Sequence, residues 1–249
     1  MLFENRLNYE ITGAGEKTVL LLHGWGGSTQ SWLPVARDLA ADFKVINIDF
    51  PGFGESPEPE ESWTVTEYTE LIYRFITSLG LDKIYIIAHS FGGRVALLLS
   101  STHPELVEKQ VLTGCAGIKP ETSGSGFKLS SLYDNGLAHK LLGDKGVKKL
   151  QNAVRSHFGS ADYKNASPVM REVLKNVLNQ DLRCCLKDIT ASTLLIFGQY
   201  DTATPVWMGR ELESGIRDAA LIVFENATHF AYLEQYARFI AITGQFLRG

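Results

Sequence analysis

The sequence predicts an α/β fold: a mostly parallel sheet of about eight strands flanked by helices. Apolar runs typical of buried strands alternate with segments of helical spacing over two long stretches of the chain. Parallel strands need crossover connections, and helices in those connections cover both faces of the sheet. The length of 249 residues, with 45% hydrophobic and 21% charged residues, suits one large globular domain that carries an insertion.

The strand and helix signals are strongest before residue 117 and after residue 189. The predicted strands are 7–12, 19–23, 43–48, 83–88, 108–113, 193–197 and 220–224. The predicted helices are 31–40, 64–79, 91–101, 206–214 and 230–247. Residues 117–189 hold no convincing strand, which predicts a helical insertion there and a core domain made of residues 1–116 and 190–249. Within the insertion, helical patterns cover 129–142, 146–158 and 169–178.

Composition excludes several function classes. The net charge is −4 and no basic stripe is present, so we expect no nucleic-acid partner. No apolar run approaches the ~20 residues of a membrane span, and the first residues are polar, so we expect a cytoplasmic protein without a membrane span. The odd number of cysteines (Cys115, Cys184 and Cys185) indicates reduced thiols, and the neighbours Cys184 and Cys185 lack the spacing of metal ligands, so we expect no metal.

Ser90 is the candidate nucleophile. It follows the predicted strand 83–88 and precedes the predicted helix 91–101. A strand, a serine in a tight turn and a helix together form the context of a nucleophilic serine. The small residues Ala88 and Gly92, two positions to either side, leave room for that turn. The free N–H groups at the start of a helix also favour a developing negative charge.

Two further polar residues follow predicted strands. Asp201 comes after strand 193–197, and His229 comes after strand 220–224. Because the carboxyl ends of parallel strands share one edge of a sheet, we expect both side chains to lie near Ser90. An imidazole can take the serine proton and return it to a leaving group. A carboxylate fixes the imidazole tautomer, so the chain order Ser, Asp, His predicts a catalytic triad.

A glycine-rich turn follows the predicted strand 19–23, in the sequence His-Gly-Trp-Gly-Gly-Ser. Such a turn can direct a backbone N–H at a substrate carbonyl oxygen. By position we assign this donor to Trp25. The second donor is the N–H of Phe91, the residue after the candidate nucleophile.

These segments together resemble the α/β-hydrolase superfamily. The matching segments are HGWGG at 23–27, DFPGFGES at 49–56, AHSFGG at 88–93, GQYD at 198–201 and ATHF at 227–230. The resemblance implies an α/β-hydrolase fold in which residues 117–189 form a cap (lid) inserted after the sixth strand. It also implies neither a metal nor an organic cofactor. The first two segments look most like those of pimeloyl-carrier-protein methyl ester esterases and small carboxylesterases.

Other polar residues near these strand ends have more ordinary interpretations. Asp49 opens a Pro-Gly loop, which favours turn hydrogen bonds over a catalytic role. Some superfamily members place the triad acid after the strand 108–113, but Gly114-Cys115-Ala116 offers no carboxylate there. His89 is expected to point away from the site. The insertion's Arg155, Arg171 and Arg183 are interpreted as solvated helix positions rather than anion-binding groups.

The residues therefore predict a serine hydrolase that cleaves a small-molecule carboxylic ester through an acyl-enzyme on Ser90. Carbon–carbon bond hydrolases, thioesterases and cofactor-free perhydrolases use the same triad and stay open. The first of these usually carry an HGxGPG-like loop, which HGWGG does not match. A ligand-binding protein of the same fold without turnover is a further alternative. Neither the natural substrate nor the oligomeric state follows from the sequence.

Overall fold

The computed structural model of the chain describes residues 1–119 and 166–249. The strands are β1 Leu2–Phe3, β2 Leu7–Thr12, β3 Thr18–Leu22, β4 Lys44–Asp49, β5 Ile84–His89, β6 Val107–Thr113, β7 Ser192–Gly198 and β8 Ala219–Phe224. They form one sheet in the order β1-β2-β4-β3-β5-β6-β7-β8. Strand β2 is antiparallel to β1 and β4, and every pairing from β4 onward is parallel. The mostly parallel eight-stranded sheet is confirmed.

The strand register brings the carboxyl ends of the parallel strands to one edge of the sheet. Leu22 pairs with Ala88, and Thr113 pairs with His89, the last residue of β5. The last pair of β7 and β8 is Gly198 with Phe224. Ligands of such sheets bind beyond this edge, so the loops that follow these strands carry the candidate site.

Helices flank the sheet, and three of them begin at a side-chain cap, supplied by Ser28, Thr64 and Ser167. The helices are α1 Thr29–Leu39, α2 Val65–Ser78, α3 Phe91–Thr102, α4 Pro168–Asn179, α5 Val206–Gly215, α6 Ala231–Glu234 and α7 Tyr236–Arg248, with a 3₁₀ helix at Arg183–Asp188. Helix α2 starts at a capping box in which the Glu67 carboxylate accepts the N–H of Thr64 at 2.6 Å. The ring of Trp32 in α1 packs against the buried rings of Tyr232 in α6 and Phe239 in α7.

The first hairpin is a feature that the sequence patterns miss. Glu4 and Asn5 both adopt left-handed backbone conformations, with φ of 49° and 55°. The N–H of Arg6 donates to the carbonyl of Phe3 at 2.9 Å, which closes a β-turn with Glu4 and Asn5 at its centre, between β1 and β2. Turns whose central residues adopt left-handed conformations usually contain glycine, and this turn contains none.

The C-terminal helix predicted over 230–247 is two helices, α6 and α7. Gln235 lies between them with φ of −122° and ψ of 50°, which is outside the helical region. Its side-chain amide donates to the carbonyl of Glu225 at 2.6 Å. This bond ties the break to the segment that follows β8 and thereby to the loop of His229.

Helix α4 corresponds to the helix predicted over 169–178 and is fastened to the core. Gln180, just after α4, accepts the N–H of Val65 on its side-chain oxygen at 3.1 Å. Its main-chain carbonyl accepts the buried Arg94 guanidinium at 2.8 Å. Asn176 donates to the carbonyl of Trp63 at 3.3 Å. These bonds hold α4 against the starts of α2 and α3.

Residues Met1–Ile118 and Ser167–Gly249 form one compact unit, which therefore includes α4. The helices predicted over 129–142 and 146–158, and Arg155, lie outside the described residues. The division into a core and a cap over 117–189 stays a prediction.

Candidate active site

Ser90 lies in a strained turn between β5 and α3. Its φ of 50° and ψ of −108° are rare for a residue with a side chain, and such strain concentrates at functional positions. The N–H of Ser90 donates to the carbonyl of Thr113 at 3.2 Å, which ties the turn to β6. A Cβ on Gly92 would lie 2.4 Å from the carbonyl oxygen of Leu22, so only glycine fits there. This contact explains the small residue two positions after the serine.

Asp201 and His229 are brought together by the loops that follow β7 and β8. The Nδ1 of His229 donates to Oδ2 of Asp201 at 2.8 Å. Both side chains are buried, with 8% of the histidine and 0% of the aspartate side chain exposed. Oδ1 of Asp201 accepts the N–H groups of Ala203 and Thr204 at 2.8 and 2.9 Å. Because Nδ1 is engaged with the carboxylate, Nε2 is the ring nitrogen that would act as the base in acyl transfer.

Thr204 joins this pair, although the sequence patterns gave no sign of it. Its hydroxyl donates to Oδ2 of Asp201 at 2.7 Å and lies 3.3 Å from Nδ1 of His229. Thr204 is 2% exposed. The hydroxyl therefore fixes the carboxylate oxygen that accepts the N–H of His229.

We expect Thr204→Val to lower kcat about tenfold with little change in KM, because a hydrogen bond to a charged group is lost without a change in side-chain volume. Steady-state kinetics on the preferred ester measures this effect. The matched control is Thr202→Val, since Thr202 is exposed on the same loop. Equal losses in the two variants would show that the Thr204 hydroxyl has no specific role.

The turn after β3 holds the candidate oxyanion donor. The N–H of Gly27 donates to the carbonyl of Gly24 at 3.0 Å, and Gly26 has φ of 74°, so Trp25 occupies the first central position of a tight turn. A Cβ on Gly24 would lie 3.4 Å from Cβ of Ser90, so this turn lies against the candidate nucleophile.

Phe91 is the first residue of α3. Its N–H belongs to the first turn, where N–H groups have no acceptor within the helix. The positive end of the helix dipole lies at the same place. The positions of Trp25 and Phe91 suit two donors beside Ser90.

His23 stabilises the turn that contains Trp25. Its Nδ1 donates to the carbonyl of Gly24 at 2.7 Å, and its Nε2 accepts the N–H of Phe50 at 3.0 Å. The acceptor role of Nε2 requires the neutral ring, since a protonated imidazole only donates. Complete burial lowers the pKa of His23 from 6.5 to about 4.

We therefore expect the free energy of unfolding to fall as the pH falls from 6.5 to 4. Over this range the unfolded chain binds a proton at His23 that the folded chain excludes, which costs about 3 kcal/mol at pH 4. Urea titrations at several pH values measure the slope. His23→Asn should lose this part of the slope, whereas His103→Asn, at the partly exposed end of α3, should keep it. Identical slopes in all three proteins would contradict the assignment.

His89 lies closer to the site than the sequence predicted. Its ring centre is 4.6 Å from that of His229, and its Nε2 donates to the main-chain carbonyl of His229 at 3.1 Å. Burial is the main reason that the pKa of His89 lies well below its usual value, with the neighbouring His229 adding to it. His89 is therefore a neutral contact behind His229. On another side, a Cβ on Gly114 would lie 3.1 Å from Nδ1 of His229, so glycine leaves room for the ring.

Asp49 organises a turn instead of facing His229. Its carboxylate accepts the N–H of Thr29 at 2.5 Å, the side-chain amide of Asn8 at 2.9 Å and the N–H of Glu55 at 2.9 Å. These three donors connect the start of α1, β2 and the loop after β4. The interpretation of Asp49 as a turn residue agrees with this geometry.

The described parts of the chain show little that suits a metal or a membrane. Across residues 1–119 and 166–249, no group of three or more His, Cys, Asp or Glu side chains is arranged to hold a metal ion. No helix within these two ranges is long and apolar enough to span a membrane.

Arg183 forms ion pairs with Asp181 and Glu211.

The fold and these strand-end loops match known families. A family model described as alpha/beta hydrolase fold matches residues 17–124, and a model described as TAP-like protein matches residues 176–247. The chain belongs to the α/β-hydrolase superfamily. The resemblance seen in the sequence is thereby confirmed at the level of the superfamily.

Individual relatives include several hydrolases. A 2-hydroxy-6-oxononadienedioate/2-hydroxy-6-oxononatrienedioate hydrolase of Pseudomonas putida is 29% identical, over 97% of this chain and 91% of the relative. The structure of an esterase from Exiguobacterium antarcticum is similar with a TM-score of 0.78 at 22% identity, over 98% of this chain and 96% of that one. An enol-lactonase from Burkholderia xenovorans gives 0.75 at 22% identity with the same coverage. The structural likenesses concern the fold, and the relatives support an enzyme of the hydrolase class.

Proposed function

We propose that the protein is a serine hydrolase that cleaves carboxylic esters through an acyl-enzyme on Ser90. The observation that carries this proposal is the buried hydrogen bond between Asp201 and His229, at the sheet edge where Ser90 occupies its strained turn. A carboxylate, an imidazole and a serine hydroxyl at one strand edge are the groups that acyl transfer requires.

In the first half-reaction, Nε2 of His229 takes the hydroxyl proton as Oγ of Ser90 attacks the ester carbonyl. Asp201 stabilises the resulting imidazolium through Nδ1. The carbonyl oxygen becomes an oxyanion, which the N–H groups of Trp25 and Phe91 bind. The carbon–oxygen bond to the alcohol then breaks, and His229 gives its proton to the leaving alcohol.

In the second half-reaction, a water molecule replaces the alcohol. His229 takes a proton from this water as its oxygen attacks the acyl carbonyl on Ser90. The same two N–H groups bind the second oxyanion. The acid leaves, and the proton returns to the serine oxygen, so the enzyme is regenerated without any cofactor.

A carbon–carbon bond hydrolase is the second candidate. It is supported by the Pseudomonas putida relative, whose name specifies a dienedioate substrate, and by a similarly named relative of Cupriavidus pinatubonensis at 27% identity. The turn sequence HGWGG, without a proline, favours the ester hydrolase instead. Both reactions would use the same triad.

Parallel assays distinguish the two candidates. The purified protein is given a series of p-nitrophenyl esters, a vinylogous 1,5-diketone acid, an acyl-CoA, and acetate with hydrogen peroxide. We expect ester turnover with kcat/KM at least 100-fold above that for the diketone. A preference for the diketone would support the carbon–carbon hydrolase, and a preference for the acyl-CoA or for peracid formation would support a thioesterase or a perhydrolase. A single acylation event without turnover would support a ligand-binding protein.

A further inference from the structure

Three aromatic side chains form a continuous surface beside the candidate oxyanion hole. The ring of Trp25 contacts the rings of Phe53 and Phe91, with centroid distances of 4.9 and 5.6 Å and interplanar angles of 78° and 80°. The rings of Phe53 and Phe91 are 6.4 Å apart. We call these three residues the aromatic wall.

The aromatic wall belongs to the segments that carry the reaction. Trp25 and Phe91 supply the two proposed oxyanion donors from their main chains, so their rings start next to the carbonyl that would be attacked. Phe53 lies in the turn after β4 and joins them from the side. Trp25 and Phe53 are half-buried, while Phe91 is 3% exposed. The wall therefore offers partly open aromatic surface on a buried base.

The base of the wall is rigid. The ring of Phe91 packs edge-on against the rings of Phe50 and Tyr68, each at 5.1 Å. Phe53 also meets the ring of His23 at 5.6 Å. Such edge-to-face packing fixes ring orientations. A substrate group at the wall therefore meets a preformed surface.

The wall carries no charge. His23 is neutral because burial lowers its pKa to about 4. The nearby Asp49 carboxylate already accepts three hydrogen bonds. No ring of the wall pairs with a cation among the described residues. An anionic group placed against these rings would lose water without gaining a partner there.

We infer that the aromatic wall binds the acyl group of the substrate. It selects an acyl group that carries an uncharged, planar aromatic ring over an aliphatic or anionic acyl group. The acyl group is favoured over the alcohol because its carbonyl stays in the oxyanion hole through both half-reactions, whereas the alcohol leaves after the first. This inference rests on the proposed ester hydrolysis, and it adds the substrate class. Phe53 is the residue of the wall that takes no other part in the reaction.

Three methyl esters test the inference, since methanol is too small to occupy the wall. The kcat/KM for methyl phenylacetate, methyl butyrate and monomethyl glutarate is followed by proton release. We expect the phenylacetate to exceed the butyrate at least fivefold and the glutarate at least 20-fold. Phe53→Leu should lower the phenylacetate-to-butyrate ratio of kcat/KM about three- to tenfold, because one aromatic contact is lost.

Two controls make the outcome decisive. Phe3→Leu changes an aromatic residue that packs on Phe75 far from the site, and its substrate ratios should match those of the wild type. Phe53→Tyr keeps the ring and should retain the preference. If Phe53→Leu does not fold, the wild-type ratios alone decide.

Fluorophosphonate labelling of Ser90 separates the two ways of failing. A labelled enzyme that prefers the butyrate or the glutarate overturns the role of the wall and leaves the ester hydrolase intact. An unlabelled protein that turns over none of the three esters overturns both.

Discussion

Replacing Ser90 with alanine is expected to lower kcat/KM for the preferred ester about 10⁴- to 10⁶-fold. Without the hydroxyl no acyl-enzyme forms, and the remaining rate comes from substrate binding and the oxyanion donors alone. The fold should be unaffected, because the hydrogen bonds that hold the turn use the main chain of Ser90: its N–H donates to Thr113, and its carbonyl accepts from Gly93 and Ala116. Single-turnover and steady-state assays on purified protein measure the effect.

The matched control for this variant is Ser101→Ala. The hydroxyl of Ser101 donates to the carbonyl of Leu98 in its own helix, so activity should stay within twofold of wild type. Turnover by the Ser90→Ala enzyme at a near-wild-type rate would end the proposed mechanism.

Asp201→Asn is expected to lower kcat about 10⁴-fold. Oδ1 of Asp201 accepts the N–H groups of Ala203 and Thr204, so an asparagine would keep its carbonyl oxygen there and turn its NH₂ group toward His229. Nδ1 of His229 would then have to accept, and the proton would move to Nε2, where a base is needed. The side chain at position 201 would keep its place, but His229 would be held in the wrong tautomer.

The comparison variant is Asp49→Asn, which changes a buried carboxylate that receives three hydrogen bonds around the loop after β4. We expect this variant to unfold at lower urea concentration while the folded fraction keeps most of its kcat. A harmless Asp201→Asn together with an inactive Asp49→Asn would show that the acid has been assigned to the wrong residue.

Much of this architecture follows from local patterns. The buried strands differ from their predicted bounds by at most one residue at either end, because continuous apolar runs between polar turns have few other ways to be buried. Asp201 and His229 were expected to lie together because parallel strands end at one edge of the sheet, and their side chains are hydrogen-bonded. The antiparallel hairpin of β1 was missed because Glu4 and Asn5 adopt left-handed conformations without glycine.

The contacts around the catalytic candidates depend on the folded loops. Thr204 lies three residues beyond Asp201, and only the turn of that loop directs its hydroxyl to the carboxylate. His89 meets His229 across 140 positions of the chain, a contact that no local pattern encodes. The break at Gln235 depends on the carbonyl of Glu225, a partner that lies in the preceding loop. Local periodicity therefore identifies strand ends better than it identifies what the side chains there contact.

The most direct test of the proposed mechanism is labelling of the wild-type protein with a fluorophosphonate, followed by intact-protein and peptide mass spectrometry. Asp201→Asn is treated in parallel under the same conditions. We expect one adduct per chain, located on Ser90, with labelling at least 100-fold slower in the variant. No adduct on Ser90, or an adduct on another residue, would contradict the assignment of Ser90 as the nucleophile and would favour a ligand-binding protein.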